Sequence, residues 1–166
     1  DMSENQAKPI YLGIGSNLGA RSRNIEKAKF FLIENKIEIL KSSNFYETYS
    51  WPNPKKPKFL NIIIKIKCGL SPTELIKKCK EIEKKLGRKK TARNDPRICD
   101  IDIIDFKGFK SRKSINLPHP RMHERNFVLF PLFEINKNWR HPISKNTIKK
   151  LILLLPNRDI RSIKQI

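Results

Sequence analysis

Residues Phe59 to Cys68, running Phe-Leu-Asn-Ile-Ile-Ile-Lys-Ile-Lys-Cys, carry the clearest strand signal in the chain. β-Branched and aromatic side chains pack well on a pleated surface and are stiff in a helix. Three further strands surround this one in sequence. Pro9 to Gly15 reads as a buried strand entering a glycine-rich turn at Ser16 to Gly19, Ile37 to Tyr46 can form a second, and Cys99 to Phe106 a fourth. Two helices interleave with them. Arg23 to Asn35 is amphipathic, with Ile25, Ala28 and Leu32, flanked by Phe30, Phe31 and Ile33, expected to face inward. Ser71-Pro72-Thr73-Glu74 is a capping box with proline at the first helical position, opening a helix that ends at Gly87. The order strand–helix–strand–strand–helix–strand points to a ferredoxin-like α+β fold, with helices packed on a mainly antiparallel sheet. A proline-rich loop spans Tyr49 to Pro57, and Leu117-Pro118-His119-Pro120 forbids regular structure. Asn126 to Ile135 and Asn146 to Leu155 read as helices, and the last residues are expected to fray. Without repeats or a linker, residues 8–160 are expected to form one domain, residues 1–7 being an expression remnant or a flexible N-terminus.

Composition narrows the function classes. A chain of 166 residues can bury roughly two-thirds of its unfolded surface, and the isoleucine runs exclude wholesale disorder. No apolar stretch approaches the ~18–20 residues of a membrane span, and no secretory core stands at the start. Three cysteines, widely spaced and without C-x-x-C, suit a reduced, cytoplasmic protein. The formal charge of +20 invites nucleic acid as partner. However, Lys, Ile and Asn supply 63 of the 166 residues, a bias that AT-rich coding produces without selection for binding, and the lysines are scattered. Arginine is not: six of eleven fall within residues 88–125, where four of the six aspartates also lie. Arginine is suited to bidentate phosphate contacts.

Asp100 and Asp102 stand at i and i+2 on a strand, so their carboxylates share one face, roughly 7 Å apart, while Ile101 and Ile103 point to the core. Paired hard oxygens amid arginines suit Mg²⁺ on a polyphosphate, against the alternative of a solvated strand face. The basic segment 88–97 could close over a nucleotide and place positive charge where a transition state gathers negative charge. Gly13, Gly15 and Gly19 miss the dinucleotide fingerprint by one residue, and a tight turn is their expected use. His119 and His123 have i, i+4 spacing, but Pro118 and Pro120 prevent the helix that would align them for zinc; His119 can instead meet phosphate. Lys107-Gly108-Phe109 opens like an RNA-recognition strand and then breaks at Lys110-Ser111-Arg112.

Six segments, in order, carry a resemblance. They are Gly15-Ser16-Asn17-Leu18-Gly19, Ser43-Asn44-Phe45-Tyr46-Glu47-Thr48, Phe59-Leu60-Asn61, Pro96 to Asp102, Leu117-Pro118-His119-Pro120-Arg121-Met122, and Arg125 to Leu132. From Tyr11 to about Pro142 the chain resembles the 6-hydroxymethyl-7,8-dihydropterin pyrophosphokinases of folate biosynthesis. The resemblance implies diphosphate transfer from ATP to the pterin hydroxymethyl group, leaving AMP. It implies Asp100 and Asp102 as ligands of two Mg²⁺ ions, with Arg88 and Arg97 assisting catalysis. It places Lys80, Glu83, Arg93, Ile103, His119 and Arg125 at ATP. Asn61 would read the pterin edge between the rings of Phe59 and Phe127, framed by Thr48 and Trp51. It further implies small-molecule substrates, with neither nucleic acid nor membrane as partner, and a monomer. The chain departs from the family's pattern at three places. Asn94-Asp95 stands where a tryptophan is common, Tyr49-Ser50 where two prolines are common, and Phe59 where a tyrosine is usual.

Overall fold

The computed structural model describes residues 8–88, 92 and 94–166. In chain order it contains β1 (Ile10–Ser16), α1 (Arg21–Glu34), β2 (Glu38–Ser42), β3 (Tyr46–Thr48), β4 (Phe59–Lys67), α2 (Pro72–Lys85), β5 (Asp100–Phe106), β6 (Ser111–Arg112) and β7 (Asn116–Leu117). A 3₁₀ turn (Met122–Glu124), α3 (Asn126–Ile135), α4 (Ile148–Leu153), α5 (Asn157–Ser162) and β8 (Lys164–Gln165) follow. The sheet order is β5-β1-β4-β3-β8, with β2 also on β4, and every pairing is antiparallel. This is the ferredoxin-like α+β arrangement expected from the element order. A small β6–β7 hairpin stands apart.

Period-two alternation divides the core between the two faces of the sheet. Leu12, Ile14, Ile62, Ile64, Ile101 and Ile103 pack with Ile25, Ala28 and Leu32 of α1 and Leu75, Cys79 and Ile82 of α2. On the opposite face Tyr11, Ile63 and Ile104 meet Val128, Leu129 and Leu132 of α3 and Ile148 and Leu151 of α4. A β-bulge adjusts β5. Leu12 pairs with Ile103 but Tyr11 with Asp105, so Ile104 is the extra residue and joins the second face.

Four expectations need correction. The run Ile37 to Tyr46 is two strands, both antiparallel to β4, because the ladder is interrupted at Ser43, whose hydroxyl accepts the Ile63 N–H at 3.0 Å. Phe30 and Ile33 are 58% and 57% exposed, outside the inward stripe that Ile25, Ala28 and Leu32 define. Gly13 and Gly15 lie inside β1, and only Gly19 of the three takes a positive φ, at 72°. The C-terminal residues are tied down: β8 pairs with β3, and the Ile166 N–H donates to the Phe45 carbonyl at 2.9 Å.

Candidate active site

The register assembles the site from three neighbouring strands, the edge strand β5 with β1 and β4. Gly15 pairs with Asp100 on one side and Asn61 on the other, so one row crosses the sheet as Asp100–Gly15–Asn61. Two strand spacings, roughly 10 Å, separate the acid from the amide, and the glycine leaves a trough between them. A Cβ on Gly15 would lie 2.5 Å from Asn61 Oδ1. Asn61 is 7% exposed, and its Nδ2 donates to Thr48 Oγ1 at 3.4 Å, which turns the amide toward the trough. Phe59 lies beside it on β4, half-buried.

At the other end of the row an acid–arginine array forms. Asp100 Oδ1 accepts from Arg88 Nη1 at 3.0 Å and from Arg97 Nη1 at 3.3 Å. Arg88 Nη1 also donates to Glu83 Oε1 at 2.7 Å. Glu83, only 2% exposed, accepts the Ile101 N–H on its other oxygen at 2.7 Å, so α2 pins the start of β5. Lys80 Nζ stands 3.5 Å from Glu83 at the surface. Asp102 differs: none of the described residues donates a hydrogen bond to it, and burial pushes its carboxyl above the usual range. The Asp100 charge adds to that shift, while Arg125 opposes it.

The loop before α3 and its first turn provide the remaining wall. Arg125 lies 5.4 Å over the Phe127 ring and close enough to Asp102 and Asp100 to sense their charge. His119 keeps Nδ1 as acceptor of the Arg121 N–H at 3.2 Å. Burial, together with Arg125 and Arg121, lowers its pKa to about 4. Arg121 lies 5.2 Å over the Trp51 ring, which is 66% exposed at the rim.

The expected site residues thus fall into two linked groups. Arg88, Arg97, Asp100, Asp102 and Arg125 converge on the acids, and Thr48, Phe59 and Asn61 on the amide end of the trough. Glu83 is spent on Arg88 and β5, and Ile103 is turned into the core beneath the site. Arg93 lies outside the described residues. Sequence reasoning assigned no role to Arg121 as the partner of Trp51, nor to Asn17, which is 3% exposed and joins three segments. Their inclusion in two of the resembling segments was the available signal.

Among the described residues no three His, Cys, Asp or Glu groups converge. Two hard carboxylates, one without a donor among the described residues, are the donor set that Mg²⁺ takes when substrate phosphates complete its shell. The residues therefore fit the ion. Taken as a class, this is an antiparallel α+β domain with an acid pair set in arginines at one end of a trough and a polar amide at the other. Residues 11–137 match the family model for 7,8-dihydro-6-hydroxymethylpterin-pyrophosphokinase, and the chain belongs to that family. The 2-amino-4-hydroxy-6-hydroxymethyldihydropteridine pyrophosphokinase of Aquifex aeolicus (strain VF5) is 41% identical over 142 residues, 85% of this chain and 88% of the relative. The enzyme of the same description from Bacillus subtilis (strain 168) is 38% identical over 127 residues, 75% of this chain and 76% of the relative. A crystal structure of Plasmodium falciparum HPPK-DHPS with pteroate shares the fold, with a TM-score of 0.73 at 15% identity. That match covers 97% of this chain and 48% of the other, so the chain spans about half of it. The chain is accordingly a transferase, a pyrophosphokinase of folate synthesis.

Proposed function

We propose that the enzyme transfers the β,γ-diphosphate of ATP to the hydroxymethyl oxygen of 6-hydroxymethyl-7,8-dihydropterin, releasing AMP. The observation that carries this reading is the cross-sheet row, in which Asp100 and Asn61 flank a side-chain-free Gly15. The Asn61 amide has both a donor and an acceptor for a heterocycle edge. Phe59 and Phe127 supply rings for stacking, worth about 1 kcal/mol each beyond burial, and Thr48 and Trp51 frame the ring. The pterin hydroxyl then lies toward the acids, where its oxygen bonds to the β-phosphorus as the bond from that phosphorus to the α,β-bridging oxygen breaks, AMP leaves with that oxygen, and the hydroxyl proton passes to solvent. Asp100 and Asp102 would hold two Mg²⁺ ions, which lower the hydroxyl's pKa and neutralise phosphate charge.

The chain's own cations serve the phosphates. Arg88 and Arg97 now neutralise Asp100 and can pass to the triphosphate when it arrives, keeping positive charge beside the β-phosphorus as negative charge builds. Arg125, His119 and Lys80 line the nucleotide side, and Arg93 is read there from the resemblance alone. Neutral His119 can donate through Nε2, since Nδ1 is already an acceptor. Glu83 supports ATP through Arg88. The domain expected at 8–160, extended to Ile166 by the pairing of β8 with β3, works as a cytoplasmic monomer on small molecules, without nucleic acid or membrane. No helix among the described residues is long and apolar enough to cross a membrane. The test is to mix protein, Mg-ATP and hydroxymethyldihydropterin and identify the nucleotide product. AMP is expected, and Asp100→Ala and Asp102→Ala should each abolish it while folding normally. ADP as product, or near-normal turnover in either variant, defeats the reading.

A further inference from the structure

Two segments distant in sequence face each other across the site. The loop from Tyr49 to Pro57 carries Trp51 on the pterin side, and residues 94–97 bring Arg97 to Asp100 on the phosphate side. Buried Asn17 joins them. Its Oδ1 accepts the Arg97 N–H at 2.7 Å, and its own N–H donates to the Arg97 carbonyl at 3.0 Å. Its Nδ2 donates to Ser50 Oγ and to the Pro57 carbonyl, each at 3.2 Å. The Ser50 hydroxyl in turn donates to that Pro57 carbonyl. One planar amide therefore grips Arg97 with its acceptor end and both ends of the Trp51 loop with its donor end. A second tie lies outside: Lys56 Nζ donates to the Asn94 carbonyl at 3.1 Å and stands 3.5 Å from the Asp95 carboxylate.

We infer that Asn17 is a positioning residue that couples the two substrate loops, holding Arg97 in register with Asp100 and setting the Trp51 loop with the same amide. The inference rests on the function proposed above and adds how the pterin and nucleotide halves communicate. Lys56 with Asp95 is the outer clasp of the same joint. The buried amide carries most of the effect, because an exposed ion pair contributes little while a buried donor left unmatched is expensive.

Substitutions can separate the two ends. Asn17→Asp keeps the acceptor facing Arg97 and loses the donor to Ser50 and Pro57. Its KM for the pterin should rise about ten-fold, with the KM for ATP within about two-fold of wild type. Asn17→Ala releases both ends and should lower kcat as well. Trp51 and Trp139 are the two tryptophans, so 5-fluorotryptophan labelling gives two ¹⁹F signals, assigned with Trp51→Phe. Mg-ATP alone should shift the Trp51 signal in wild type, less so in Lys56→Ala, and not in Asn17→Asp. Lys56→Ala alters a half-buried side chain at the surface, so it reads the joint even if an Asn17 variant fails to fold. Calorimetric ATP binding with an unmoved wild-type Trp51 signal, or equal KM changes for both substrates in Asn17→Asp, overturns the coupling and leaves the pyrophosphokinase reading standing. Absence of AMP from wild type overturns both.

Discussion

Gly15 and Arg97 set the two requirements of the site, space and charge. Alanine at Gly15 would put a Cβ 2.5 Å from Asn61 Oδ1, so the amide would have to leave its place between Gly15 and Thr48. Gly15→Ala should therefore raise the pterin KM about ten-fold or more while ATP affinity, measured by calorimetry, barely changes. An unchanged pterin KM would show that Asn61 does not read the pterin. Arg97 presents the opposite case, since its guanidinium already rests on Asp100 and needs only to exchange one anion for another. Its charge matters most when negative charge peaks. Arg97→Ala should lower kcat about a hundred-fold or more and weaken ATP binding much less. Equal losses in both would reduce Arg97 to a binding contact.

Among the elements, α2 links local sequence most directly to the site. Its Ser71–Glu74 capping box is fully formed: Ser71 Oγ accepts the Glu74 N–H at 3.2 Å, and Glu74 accepts the Ser71 N–H at 3.1 Å. Ser71→Ala should cost about 1 kcal/mol and lower Tm by about 2–4 °C. Turnover should be unchanged, because Glu83 lies roughly 18 Å further along the helix; a fall in kcat would show that fraying reaches the site. This helix was legible because its cap, period and C-terminal glycine are all local signals. So was the Asp-Ile-Asp-Ile alternation of β5, which placed both acids on one face. The bulge at Ile104 was not, since it exists only in the register with β1. The split at Ser43 depends on a hydroxyl facing Ile63, and the exposure of Phe30 on how narrow the α1 contact is. Asn17 was hidden for the same reason. Its partners, Ser50, Pro57 and Arg97, are up to 80 residues away.

Over the whole molecule the charge of +20 resolves into a diffuse lysine surface and a few arginines with defined partners. Acid acts on a different pair of bases. His119 Nδ1 accepts the Arg121 N–H, and His141 Nδ1 accepts from Ile143 and Ser144, all at 3.2 Å, so both folded rings are neutral. Burial lowers both pKa values, with Arg125 and Arg121 adding to the effect at His119, and His123 and Arg112 at His141. In the unfolded chain a histidine takes its proton near pH ~6.5, whereas folded His119 does so only at about 4. Between those values the unfolded state binds more protons, so the histidines' share of stability is lost as pH falls from about 6.5 toward 4. Asp102 and Asp105 act in the opposite sense. Burial raises both carboxyls, so on acidification the folded state gains their protons first. A wild-type melting curve mixes these opposing effects, and His119→Gln separates them by removing one titration. The Tm of the variant relative to wild type should therefore be level from about pH 8 to about pH 7 and climb as the buffer is taken on to about pH 5. An offset that stays constant across that range would mean that His119 is not held neutral by the fold.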